Sequence, residues 1–202
     1  MKTVTTEPGT RVLFLGLDSV QARHNVVQTV CEASKHPDNP LLQLGDMDEW
    51  DAVQARPWET RSIIFDEDEG IFKCWYCGSD LDTKRWWASG YAESEDGLNW
   101  TKPNLGLFEY NGNKNNNICH LGYGPVIKDP ADPDPNKRYK MILKPPEEMA
   151  VRLDYSPDGK HWPGSTTISL PEWKHPRQDI VVLLRDDQDP DPHTHTTHLL
   201  QQ

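Results

Sequence analysis

Short runs of apolar residues, broken by polar turns, carry this chain, and no stretch sustains the 3.6-residue period of an amphipathic helix. Residues 62–65 (Ser-Ile-Ile-Phe) form one such run. The acidic turn Asp66-Glu67-Asp68-Glu69-Gly70 ends it, and residues 71–76 continue as a second strand. Residues 85–93 read as a third. The same order returns downstream: a strand at 125–130, an Asp- and Pro-rich turn at 131–136, a strand through 143, and another at 149–155. A third start stands at 180–184, again followed by acidic residues, 186–191.

A heptapeptide ties the two full copies together. Ser94-Glu95-Asp96-Gly97-Leu98-Asn99-Trp100 recurs as Ser156-Pro157-Asp158-Gly159-Lys160-His161-Trp162, a shared S-x-D-G-x-x-W at a period of about 60 residues. Asp-Gly supplies the positive backbone dihedral that a tight turn needs, and the Asp side chain bonds its own backbone two residues on. The Trp that follows is placed to fold over the turn and begin a fourth strand. The unit therefore predicts a four-stranded antiparallel meander. Such units are stable when stacked side by side, as in the blades of a β-propeller. On this reading residues 1–57 are an N-terminal extension, 58–119 a first blade, 120–178 a second, and 179–202 the start of a third with an irregular tail. Residues 102–118 lie between the two copies, their Asn111-Gly112 step predicting a further turn before an Asn-rich loop. In the extension, residues 11–17 suit a strand, and residues 35–42 a Pro-framed loop running into a short one.

The net charge of −11 excludes two classes of partner. Nucleic acid and anionic membrane surfaces are both bound through Lys and Arg, and this surface repels them. No stretch is apolar for the roughly 18 residues of a membrane span, and the start lacks the apolar core of a secretory signal, so cytoplasmic residence is the default expectation. Four cysteines are too scattered for a disulfide scaffold. Cys74 and Cys77 have the spacing of half a zinc site, but they fall on a strand, face opposite ways and have no second pair, so buried thiols are expected.

Three segments resemble the five-bladed propeller glycosidase superfamily, which includes the invertase and levanase family and the arabinanase and β-xylosidase family. They are His36-Pro37-Asp38-Asn39-Pro40-Leu41-Leu42, the stretch from Asp66 through Trp75-Tyr76, and residues 94–106 with the string S-x-D-G-x-x-W-x-K-P-N-L-G. The likeness runs in order over about residues 11 to 192 and is nearest to uncharacterised bacterial members. It differs from the sialidase Asp-box in the spacing of Asp and Gly. The resemblance implies a funnel lined by the innermost strand of each blade, sugar at its mouth, and carboxylates from different blades as nucleophile or base and as general acid. Carried over, that position falls on Glu59 and Asp179, each just before an innermost strand. In the second blade the matching place, Gly124-Pro125-Val126, has no carboxylate. A closed ring needs about 300 residues at this period, so the chain reads as an incomplete propeller.

Trp58, beside Glu59, is the ring best placed to meet the apolar face of a sugar. Asn39 and Arg61 complete the candidate substrate contacts. No cofactor and no metal is expected. The acidic clusters occupy turn positions and read as solvated, and His193, His195 and His198 lie in a terminal tail. The expected partner is an oligosaccharide or glycoside, with self-association through unpaired strand edges as a second possibility. Two other readings stand beside hydrolysis. One is a non-catalytic sugar-binding or scaffold module, the other an inactive gene fragment.

Overall fold

The computed structural model describes residues 32–57, 63–80, 88–143, 150–169, 181–184 and 198–201. The chain divides into one unit of residues 1–37 and another of residues 38–202. The described residues of the second unit are all-β, with strands β1 (Gln54–Pro57), β2 (Ile63–Asp66), β3 (Ile71–Ser79), β4 (Ala88–Ser94), β5 (Ile118–His120), β6 (Val126–Lys128), β7 (Tyr139–Leu143), β8 (Ala150–Ser156), β9 (Gly164–Ser169), β10 (Val181–Leu184) and β11 (His198–Gln201). One 3₁₀ turn, Pro135–Lys137, interrupts them.

Two antiparallel sheets carry the repeat. The second is a plain meander in the order β6-β7-β8-β9. The first follows the same path through β2, β3, β4 and β5, with β1 added on the edge that β2 occupies. Pro57 pairs with Tyr76 and Ile63 with Cys74, so β1 and β2 run in one direction along β3 and leave only Trp75 between them. Residues 54–57, within the stretch read as an extension, are thus part of the sheet. No strand forms at Leu41–Leu42, where a short one was expected.

The period of two decides what each strand buries. On β3, Trp75 faces the second sheet while Cys74 and Tyr76 face away from it. Tyr91 and Cys119 join Trp75, and they meet Tyr139, Met141, Leu143 and Val126 of the second sheet in one core layer. The far side of the second sheet buries Ile127, Ile142, Val151 and Leu153, and β10, paired with β11, lies beside β6 and β7. The far side of the first sheet receives Trp50, which stacks on Tyr76 at 5.6 Å. Small residues on the neighbouring strands make that seat. A Cβ on Gly78 or Gly90 would stand 2.2 or 2.6 Å from the Trp50 ring.

The fourth strands begin after their Trp residues rather than on them. Trp162 precedes β9, and Trp100 precedes a single bridge between Thr101 and Glu93. In the first sheet residues 102–117 then leave the ladder before β5 resumes it. The Asn-rich stretch is an excursion inside the first sheet and not a link between sheets. Its Asn111-Gly112 step makes the expected turn, with φ of 48° and 78° and paired bonds between Tyr110 and Asn113.

Candidate functional site

The repeated heptapeptide builds the same local structure twice. Ser94 Oγ, at the end of β4, accepts from the backbone N–H of Asp96 and Gly97, and Asp96 Oδ1 accepts from those of Leu98 and Asn99. Ser156 and Asp158, at the end of β8, make the corresponding bonds to Asp158, Gly159, Lys160 and His161. Even the last contact is matched: Asn99 Nδ2 and His161 Nδ1 each reach the Oδ2 of their Asp at 2.7 Å. Gly97 and Gly159 hold φ of 74° and 78°, which only glycine adopts without strain.

The two Trp residues share a face, but the indole N–H of Trp100 is hydrogen-bonded and that of Trp162 is buried without a hydrogen-bond partner. Each packs on the side of its sheet that meets the preceding part of the chain: Trp100 with Trp50 and Tyr76, Trp162 with Trp75 and Tyr91. Trp100 Nε1 donates to Gly97 O at 3.1 Å, folding back over its own turn as expected. Trp162 does not, because Trp75 of the first sheet takes the equivalent carbonyl of Gly159 at 2.6 Å. The Trp162 ring lies instead against Cys119 and edge-on to His120.

A groove of about 370 Å³ opens beside Trp100. Asn39, Pro40, Leu42, Phe72, Pro57 and Ile63 are among the residues that line it. Asn39, the one substrate-contact candidate among the described residues, is exposed at this groove. Pro57 and Ile63 on its wall are the residues that flank Trp58, Glu59 and Arg61 in sequence. Those three, and Asp179, lie outside the described residues.

Four carboxylates buried elsewhere are committed to cations, while a fifth, Asp80, accepts from the Tyr110 hydroxyl. Asp66 was expected in a solvated turn; it is fully buried, and Lys73, Lys128 and the Tyr139 hydroxyl all bond it. Burial alone would raise its carboxyl, but hydrogen bonds from Lys128, Tyr139 and Lys73 outweigh it and hold the group well below the usual range. Glu67, Asp68 and Glu69 of the same turn are exposed, as expected. Asp129, at the matching strand end of the second sheet, pairs with buried Lys140 at 2.5 Å. Asp51 accepts from Lys102 at 2.6 Å and from Tyr76 at 2.7 Å. Asp154 is buried too, yet donation from His120 and Arg152 lowers it.

Sequence reasoning missed this buried Asp–Lys pair, although a trace of it is there. In both copies an Asp stands at or just past the end of the first strand and a Lys follows an aromatic residue at or near the start of the second: Asp66 with Phe72-Lys73, Asp129 with Tyr139-Lys140. Cys74 and Cys77 are free, buried thiols, and burial pushes both up to about 12. No group of three or more His, Cys, Asp or Glu suited to a metal occurs among the described residues.

Comparison with family models, with curated proteins and with solved structures finds no match to this chain.

Proposed function

We propose that the chain is a carbohydrate-recognising segment of a β-propeller, its two sheets consecutive blades, with sugar held in the groove between Asn39 and Trp100. One observation carries the sugar assignment. That groove offers an apolar floor with an aromatic ring and an exposed amide at its lip, the combination that meets the apolar face and the hydroxyls of a pyranose or furanose. The blade assignment draws support from the two matched turns and from the stacking of one meander on the next.

Hydrolysis is the sharper form of this proposal, and it rests on Glu59 and Asp179. A glycosidase needs a general acid whose carboxyl is raised toward neutrality. Among the described residues every carboxylate with a resolved shift moves the other way: Asp66, Asp96, Asp154 and Asp158 are all lowered. That favours, as the second reading, sugar binding without turnover.

Calorimetric titration with a panel of neutral oligosaccharides, run beside aryl-glycoside turnover, separates these forms. Binding that weakens by about tenfold or more in Asn39→Ala and Trp100→Ala, with melting cooperative, supports the groove. Turnover lost in Glu59→Gln or Asp179→Asn supports hydrolysis, and binding without turnover supports the second reading. A chain that neither binds nor cleaves any of the panel removes the carbohydrate assignment.

A further inference from the structure

A second cleft, of about 590 Å³, opens where the two sheets meet on the side of Trp162. Phe108, His120 and Leu121 reach it from the first sheet, and Arg152, His161 and Trp162 from the second. Its side chains include no carboxylate and no amide oxygen, in a chain whose net charge is −11.

His120, Arg152 and His161 are each held from behind. The Gly122 N–H donates to His120 Nδ1 at 2.8 Å, which leaves the proton on Nε2, and Nε2 donates to Asp154 Oδ2 at 2.7 Å. Both ring nitrogens of His120 are thus engaged. Arg152 donates Nε and Nη2 to the same carboxylate at 2.8 and 3.0 Å. Asp154 itself is withdrawn, with 6% of its side chain exposed against 40% for Arg152. With the Nε/Nη2 fork spent on Asp154, Arg152 keeps Nη1 and the second Nη2 hydrogen, an end-on pair of donors that a further carboxylate can take. His161 is fastened likewise, Nδ1 on Asp158, leaving Nε2 for the cleft. Trp162, Phe108 and the half-exposed Leu121 supply apolar surface for a ring.

We propose that this cleft binds an acidic sugar, a uronate, with its carboxylate on Arg152 Nη1 and its ring against Trp162 and Phe108. A neutral sugar needs acceptors as well as donors, and the side chains here offer no oxygen to accept. The preference for an anion rests on the free donors of a cleft without side-chain acceptors, since Asp154 already balances the charge of Arg152; the choice of a sugar rests on the function proposed above.

Calorimetry of the full chain with glucuronate and galacturonate, against glucose and galactose, tests it. Uronates should bind about tenfold or more tightly than their neutral counterparts, lose that advantage in Arg152→Gln and weaken with added salt. Leu121→Glu, at an exposed position, plants a carboxylate at the cleft and should abolish binding even if Arg152→Gln fails to fold. The inference is overturned if uronates do not bind, bind no better than neutral sugars, or bind equally in the Leu121→Glu chain. Uronate binding without oligosaccharide binding at Asn39 would remove the neutral-sugar groove and leave this cleft standing; the reverse would remove the cleft alone.

Discussion

The indole N–H of Trp75, in the middle of the first sheet, donates to the carbonyl of Gly159 in the second at 2.6 Å. The bond joins the two sheets through the very turn that repeats between them. A Cβ on Gly159 would stand 2.5 Å from the Trp75 ring, so the turn must be glycine for two reasons, its φ of 78° and this contact. Gly97 has a similar φ, 74°, but its nearest neighbour, Phe72, is 3.5 Å away. Gly97→Ala should therefore cost only the left-handed conformation, roughly 1–2 kcal/mol. Gly159→Ala should cost about 1–3 kcal/mol more through overpacking. Urea unfolding of both variants measures the difference, and equal midpoints would show that the sheets are not clamped here.

Asp66 draws on both sheets at once, with Lys73 from its own and Lys128 and Tyr139 from the next. Removing it leaves Lys73, whose side chain is fully buried, with only the part-exposed Glu69 carboxylate and the Tyr139 hydroxyl. Asp66→Ala should lose somewhat less than the roughly 3–5 kcal/mol of a buried charge left wholly unpaired, because Glu69 still pairs with Lys73. Lys73→Met should lose less, because Lys128 and Tyr139 still satisfy the carboxylate. Denaturant unfolding of the two variants checks the order. A Lys73→Met chain as unstable as Asp66→Ala would mean that packing, and not pairing, governs the site.

How much of this was legible depends on how far apart the bonded groups lie. The Ser94 and Ser156 turns and the Asn111-Gly112 turn were readable because each bond closes within three residues, and Gly or Asn marks the backbone angle. Strand order followed from the same punctuation. The Asp66 network was not readable, since Lys128 comes from 62 positions away and an acidic run at a turn looks solvated. The seat of Trp50 was hidden for a related reason. Gly78 and Gly90 weaken a strand pattern when read locally, and only the packed sheet shows that they make room for a ring. At the groove, Asn39 alone of the predicted contacts could be placed, and Arg152 with His120 emerged only when β5 and β8 met.

Acid should weaken the joint between the sheets. Asp66 and Asp154 have folded-state values below the ordinary Asp value of about 3.9. The unfolded chain therefore takes up protons first as pH falls. Stability is complete above about pH 5 and declines from roughly pH 4 downward. Urea midpoints across that window should fall steadily, and Asp66→Asn, starting lower, should fall less steeply. A midpoint unchanged from neutral pH down to about 3 would contradict the linkage.

Cys74, Cys77 and Cys119 report the same packing through their chemistry. All three are buried, and desolvation raises each thiol, Cys74 and Cys77 to about 12 and Cys119 higher still. The thiolate is the reactive species, so at a pH of about 8 these three residues hold almost none. In a Cys31→Ser background, an aromatic disulfide reagent should leave the folded protein essentially unmodified and titrate three thiols once guanidinium unfolds it. Cys119 sits in the layer between the sheets and Cys74 on the opposite face of the first sheet. Gly159→Ala, which pries at that layer, should accordingly speed labelling of Cys119 more than of Cys74. Peptide mapping after brief labelling distinguishes them, and equal acceleration at both would mean that the chain opens as a whole instead of parting between its sheets.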